Sequence, residues 1–502
     1  MKEKILFWLD SNLLSFCISY FLQKKTDYEL FALIDITNKS KKFFQEQKLV
    51  TFSESWFYHD HINSTAYFDK EFLHDFEQRF DVNLWELSQN ERIFNFYNEY
   101  HKFSNDEILS ILYQECKLFE NILLTAKPDF LIIRETALHH DYLFHKMCKK
   151  LGVKILMLNQ SKFGYKCILS EELHKLDNLE NLDDIKYSGR TFEQLLNYLN
   201  SNDYSKQLIS YKNKRAVSQF ERFKAATEFL SSSNSNINTH YSYFGRTKSR
   251  VLFNELKSSL KKRIRDNYIN KNLLYNIPNE KFVLFTLHME PERSLLLAAP
   301  FYTNQLETVK SIAKSLPIGY KLLVKEHFSQ SIRGWREISF YKELLEIPNV
   351  SMIHPTVPIS KLIPKSSLVI SVGGTVSFEA CFYEKPSIIF ADLGYTMINS
   401  ISKLENIDEL PLLIRKSLDD KPNVEELDKY VTAIAQHSFE FDLWDFQLKF
   451  FDEFYYGGNY VDVEISESKM ETFLDKEKDI LESLVENYVN KINQIKKSAI
   501  NS

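Results

Sequence analysis

The chain has 502 residues, enough for two or three domains with sizeable cores. Its apolar share of 44%, charged share of 26% and formal net charge of −5 are those of a soluble globular protein, and they exclude a generic nucleic-acid binder, which would carry a basic excess. Five scattered cysteines without a CxxC pair exclude a disulfide framework or zinc ribbon and point to a reducing cytosol.

From the N-terminus, Lys4 to Asp10 is a short apolar run followed by Ser11 and Asn12, then an apolar-periodic stretch to Lys25. This reads as strand, loop and helix. The polar break and the lack of a small-residue cleavage site make it a poor signal peptide, and no run of ~18 apolar residues predicts a membrane span. Tyr28 to Asp35 is a second strand, and Phe52 to Glu120 reads as an aromatic, mostly helical insertion. Lys127 to Thr136 gives a further strand. An amphipathic helix closed by Gly152 and the strand Val153 to Ser161 follow. Alternation of this kind predicts a parallel α/β sheet.

Between Asp177 and Ile277 the pattern changes to long polar helices with a Ser/Asn-rich break at Ser231 to Asn238, and the stretch from Arg246 to Asn272 is basic. That region reads as a helical connector. Its basic run is a solvated helix face, or an attraction to an anionic substrate or membrane surface. A second α/β unit starts at Lys281 and runs strand, helix, strand, helix, strand, short helix to the stretch Leu368–Phe390, and helices follow to the C-terminus. The domains predicted are 1–175 (α/β, with the insertion at about 52–120), 176–277 (connector), 278–438 (α/β) and 439–502 (terminal helices, free to pack back on the first domain). The predicted class is α/β: two facing Rossmann-like domains, with ligands beyond the carboxyl ends of the strands.

Those strand ends carry the candidate chemistry. In the second half they are His288, Glu290, Glu292 and Arg293; Lys325, Glu326 and His327; His354 and Thr356; and Ser371, Gly373, Gly374, Thr375, Ser377 and Glu379. In a glycine-poor chain (11 glycines), the Gly373–Gly374 pair suits positive φ and close backbone approach to a ligand. Thr375 or Ser377 would cap the next helix, whose N–H groups attract an anion, and Glu379 would reach ribose hydroxyls. The same turn read alone is also a plain strand-to-helix connection. Lys325 and His327 alternate with Glu326, so they share one strand face and would neutralise a donor phosphate, and Glu326 and His327 are the catalytic candidates of this half. In the first half, Asp10 or Glu135 is placed to act as general base, beside Ser11, Asn12, Arg134 and Thr136. Asp10 also suits a helix cap. The His59-Asp60-His61 and His139-His140-Asp141/His145 clusters lack a tidy three-ligand spacing, so no metal is expected. A GxSxG elbow and a Walker loop are absent.

The motifs "LHMEPE", "KLLVKEH", "VSMIHP" and "LVISVGGTVSFEACFYEKPSIIFADLGY", in that order between Lys281 and Tyr395, resemble the capsule polysaccharide biosynthesis proteins. These are glycosyltransferases of two-domain GT-B architecture, several of which use CMP-activated 3-deoxy-octulosonic acid. Phe328 and Ser377 stand where the family typically carries proline and glycine. The resemblance implies a metal-independent transferase without a cofactor, its nucleotide-sugar donor (a CMP-sugar favoured) held by the second domain through Gly373, Gly374, Thr375 and Glu379, with Lys325 and His327 at the phosphate. The first domain would hold a glycan or lipid-linked glycan acceptor. The expected location is cytoplasmic, with peripheral association at the inner membrane face. A glycerophosphotransferase or a nucleotide-sugar 2-epimerase on the same fold, or an inactive glycan-binding scaffold, are the alternatives; oligomeric state stays open.

Overall fold

The computed structural model describes residues 2–36, 38–63, 67–96, 99–179, 181–202, 218–232 and 240–501. The chain divides into two units: Met1–Asp177 with Asp203–Lys248 and His437–Ser502, and Asn178–Asn202 with Ser249–Gln436. The expected connector is therefore shared between the units rather than standing alone. Part of its Ser/Asn-rich break lies outside the described residues.

The first unit is built on β1 (Lys4–Asp10), β2 (Glu29–Asp35), β3 (Glu54–Phe57), β4 (Phe130–Arg134), β5 (Lys154–Gln160) and β6 (Lys166–Ser170). The sheet order is β3-β2-β1-β4-β5-β6, with the two-residue strand Phe439–Glu440 beyond β6. β1 to β5 run parallel; β6 and the last strand are antiparallel. Side chains alternate across the sheet as a period of two requires. Ile5, Phe7 and Leu9 join one core with α1 (Leu14–Lys25) and the terminal helix Lys478–Asn501, whereas Leu6 and Trp8 join the other with α2 (Asn105–Ala126) and α3 (His139–Lys150). Burial on both faces explains why the strands read as unbroken apolar runs. The terminal helix rests on α1, with Lys25 and Glu486 paired at 2.7 Å.

The insertion is mostly helical, as read, but it also carries β3. Its four residues, Glu-Ser-Trp-Phe, include one buried side chain, so an edge strand this short carries no apolar signature.

The second unit holds β7 (Phe282–Thr286), β8 (Lys321–Lys325), β9 (Val350–Ile353), β10 (Leu368–Ser371), β11 (Ser387–Ile389) and β12 (Ile401–Lys403), all parallel. Their order is β12-β11-β10-β7-β8-β9. This is the doubly wound 3-2-1-4-5-6 order, in which connections leave the first strand in opposite directions. The crevice of such a sheet lies at the carboxyl ends of its first and fourth strands, here β7 and β10. Helices α4 (Lys248–Asn272), α5 (Gln305–Ser315), α6 (Ile338–Leu345) and α7 (Val376–Phe382) belong to this half of the chain. Both units are thus α/β folds of Rossmann type.

Candidate functional site

β7 and β10 are in register, Thr286 opposite Ser371. Two residues beyond, His288 and Gly373 meet: His288 Nε2 accepts the Gly373 N–H at 3.1 Å. Nε2 is then the lone-pair nitrogen and the ring proton sits on Nδ1. Burial above all, with the nearby His327 and Arg336 charges, pushes this imidazole down to about 4, so it is neutral at physiological pH. Nδ1 is buried and has no hydrogen-bond partner among the described residues. A buried donor without an acceptor, at the crevice of a Rossmann sheet, is what a ligand oxygen would satisfy.

The two glycines do not adopt positive φ, and a Cβ at either would meet its neighbours at ordinary van der Waals distance. A Cβ on Gly373 would lie 3.5 Å from the Ser294 carbonyl oxygen, and one on Gly374 3.4 Å from His288 Nε2. The capping expectation is also corrected. Neither Thr375 nor Ser377 caps α7. Ser377 is fully buried against Ser371 Oγ at 2.8 Å, and the Thr375 hydroxyl donates instead to Glu379 Oε1 at 2.9 Å. Ser371 Oγ accepts the Gly374 N–H at 3.2 Å. The turn is held from beneath by serines, while Thr375 is exposed and Glu379 partly exposed.

The "KEH" stretch departs from the alternation read in the sequence, because β8 ends at Lys325 and the pleat ends with it. Lys325 Nζ donates to the Pro355 carbonyl at 2.9 Å, and burial lowers its pKa to about 8 against the pull of Glu326. Its ammonium is tied to the end of β9. His327 is partly exposed; its Nδ1 accepts the Ser329 N–H at 3.2 Å and its ring stacks on Phe328.

Glu326, expected to be catalytic, is fully buried. Its carboxylate accepts from Arg336 Nε at 2.9 Å, from the Tyr341 hydroxyl at 2.8 Å and from the His327 N–H at 2.7 Å. It offers no face to a substrate; it fixes the loop that presents His327. Arg336, which the sequence did not single out, is the hub. It also pairs with Glu290 at 2.5 Å and donates to the His288 carbonyl. Burial works against its charge, but Glu326 and Glu290 hold it well above its ordinary range. Gln305 in α5 completes the frame, accepting the His288 N–H at 2.7 Å and donating to the Glu290 carboxylate. Glu290 is thereby committed to positioning. Glu292 and Arg293, both partly exposed, open the short helix Arg293–Leu296 beside Gly373. His354 is occupied by Thr356 Oγ1 at 2.7 Å, Asn270 Oδ1 at 3.0 Å and a stacked Tyr275.

In the first unit the corresponding crevice lies at the ends of β1 and β4. Arg134 Nε donates to Asp10 Oδ2 across it at 2.9 Å, and Asp10 Oδ1 accepts the Asn12 N–H at 2.9 Å. Asp10 does not cap α1; the N-cap position of that helix is Leu13, in the left-handed region with φ 59° and without a side-chain cap. Glu135 is exposed.

Sequence reasoning missed Asp35, the register partner of Asp10 at the end of β2. His140 Nε2 and His59 Nε2 approach its carboxylate at 2.9 and 3.1 Å. Behind it, His139 lies fully buried between Glu91 at 2.7 Å and Glu115 at 3.0 Å. Burial opposes protonation of His139, but Glu115 and Glu91 override it and push its pKa up to about 10. Among the described residues, Glu115, His139 and His140 bring ligand atoms within 4.8 Å of one another. The two carboxylates favour a proton on His139, which a metal at its Nε2 would have to displace. The two His-rich tracts had no metal spacing of their own because their partners come from β2, α2 and the loop carrying Glu91.

No family model matches the sequence, and no curated protein matches it. Among solved structures the chain is similar to UDP-GlcNAc 2-epimerase of Methanocaldococcus jannaschii in complex with UDP-GlcNAc and UDP, at 12% identity over 87% of this chain and 99% of that one, with a TM-score of 0.26. It is also similar to the KpsC beta Kdo 2,7 transferase of Thermosulfurimonas dismutans, at 12% identity over 73% and 92%, with a TM-score of 0.30. The UDP-GlcNAc 2-epimerase of Neisseria meningitidis bound to UDP-GlcNAc matches at 14% identity over 87% and 100%, with a TM-score of 0.22.

Proposed function

We propose that the protein is a nucleotide-sugar-dependent glycosyltransferase whose second unit binds the donor, a CMP-sugar favoured, for transfer to a surface polysaccharide or glycolipid acceptor. The observation that carries the reading is the β7/β10 crevice, where a buried neutral His288 holds the Gly373 N–H and keeps its Nδ1–H for a ligand. The motif resemblance between Lys281 and Tyr395 supports the same reading.

In this reading Gly373 and Gly374 let the nucleotide approach the backbone, and Thr375 and Glu379 meet its ribose. His327, fixed by the Glu326–Arg336 pair, faces the phosphate as a hydrogen-bond donor to the leaving group. Lys325 acts from behind, shaping the loop ends rather than touching the phosphate. Asp10 is the acceptor-side base, held in place by Arg134. In this reading the chain's own groups bind the donor and stabilise the leaving group, and no cofactor is called for. No described helix is long and apolar enough to cross a membrane.

The test is thermal stabilisation by CMP, CDP, UDP, GDP and CMP- and UDP-sugars, for the wild type and His327→Ala. A ligand at 100 times its dissociation constant stabilises by about 2.7 kcal/mol. A shift with CMP that His327→Ala weakens is expected. A shift with UDP or CDP alone would move the assignment to an epimerase or glycerophosphotransferase. No shift with any nucleotide would leave an inactive, glycan-binding protein.

A further inference from the structure

Helix α4 carries a surface that the nucleotide site does not use. Leu252, Phe253, Leu256, Leu260 and Ile264 are all between 44% and 68% exposed. At ~100° per residue these five fall within an arc of about 120° around the helix axis. The opposite flank is the one that packs on its own unit. Ser258 Oγ and Arg265 Nη1 lie 3.8 and 4.0 Å from where a Cβ on Gly334 would stand, Arg265 donates to the Gly334 carbonyl at 3.0 Å, Asp266 accepts the Trp335 indole N–H, and Ile269 is buried. The apolar arc is therefore turned outward by the contacts that hold the helix.

The charge on the same helix is as lopsided. Residues 248–272 contain eight Lys and Arg against one Glu and one Asp, a net +6 in a chain of −5. Lys257 borders the arc and Arg263 lies within it, both exposed, while Lys261, further round, pairs with Glu337 at 3.4 Å. Long basic side chains there can lay their stems along apolar material and hold their charges at its edge. A second copy of the chain would bring two +6 faces together, and a nucleic acid has no use for five exposed apolar side chains. An apolar stripe with a cationic rim suits the boundary of a bilayer bearing anionic headgroups.

We propose that α4 is an interfacial helix that seats the protein on an anionic membrane surface, its Leu/Phe/Ile arc among the acyl chains and its Lys/Arg rim at the phosphates. The proposal stands independently of the nucleotide site.

The experiment is co-sedimentation of the full chain with vesicles of phosphatidylcholine alone or mixed equally with phosphatidylglycerol, at low and high salt. Wild type is compared with Leu256→Ser/Leu260→Ser and with Lys257→Gln/Arg263→Gln. All four positions are exposed, so both variants should keep the wild-type circular dichroism, melting temperature and nucleotide response. Expected is binding to the mixed vesicles, lowered by salt, and weakened about fivefold or more for each basic or apolar residue removed. Equal binding to neutral vesicles, unchanged binding by the serine variant, or no binding at all overturns the proposal. So does a concentration-dependent dimer that the serine variant dissolves, which would assign the face to a second copy.

Discussion

His288 Nε2 and the Gly373 N–H, 3.1 Å apart, tie together the two strand ends that flank the crevice of the second sheet. His288→Leu removes the acceptor and leaves the Gly373 N–H buried without a partner, a loss of roughly 1–3 kcal/mol. The same change removes the Nδ1–H donor. A chemical melt should show that modest destabilisation, while the nucleotide-induced shift disappears. A variant that melts like wild type and still responds to nucleotide would show that the bond neither positions the turn nor meets a ligand.

The same imidazole sets an acid limb. Its pKa in the folded chain is about 4, below the ordinary 6.5 that the unfolded chain regains. The unfolded state therefore binds the extra proton first. The stabilisation from this group is fully present above about pH 6.5 and is lost as the pH falls through 4, with an upper bound of about 3 kcal/mol. Comparing wild type and His288→Leu between pH 7 and 4 isolates it: the acid-side loss should be shallower in the variant. Parallel curves would mean that His288 is protonated as easily in the folded chain as in the unfolded one.

Arg336 and Glu326 form a buried pair. Arg336→Met leaves Glu326 charged, buried and short of its main counter-ion, a cost of roughly 3–5 kcal/mol. Adding Glu326→Gln should return part of that, because the orphaned charge goes with it. Both changes loosen the loop carrying His327, so donor affinity should fall even in the better-folded double variant. Recovered stability with unchanged donor affinity would separate the pair from the site.

Much of the fold was legible because strands buried on both faces read as apolar runs ending in polar residues, as Lys4–Asp10 and Lys321–Lys325 do. What escaped reading was set by partners distant in sequence. β3 and β6 are edge or antiparallel strands with weak patterns. Glu326 looked catalytic because it stands beside Lys325 and His327; its true surroundings come from Arg336 and Tyr341, in a loop and helix that the motif does not include. The Gly373–Gly374 pair does not need the positive φ that the sequence suggested: φ is ordinary, and a Cβ at either position would meet its neighbours at ordinary van der Waals distance. Asp35 went unnoticed because nothing in "YELFALID" shows that two histidines from elsewhere converge on its last residue.

His139 lies wholly buried between Glu91 and Glu115, and those two carboxylates keep it protonated, with a pKa pushed up to about 10. The sign here is the reverse of that at His288. The folded chain holds the proton more tightly than the unfolded one, so this stabilisation is complete below about pH 6.5 and fades as the pH rises through 10. His139→Gln removes the cation and strands two buried carboxylates. The expected cost is roughly 3–5 kcal/mol, or a melting temperature lower by ~10 °C, and Glu115→Gln in the same chain should recover part of it. Adding zinc at neutral pH should leave the wild-type melt unchanged, because the imidazolium occupies the place that a cation would take. A zinc-dependent rise that vanishes in His139→Gln would instead assign Glu115, His139 and His140 to a metal, and would make the proton a stand-in for it.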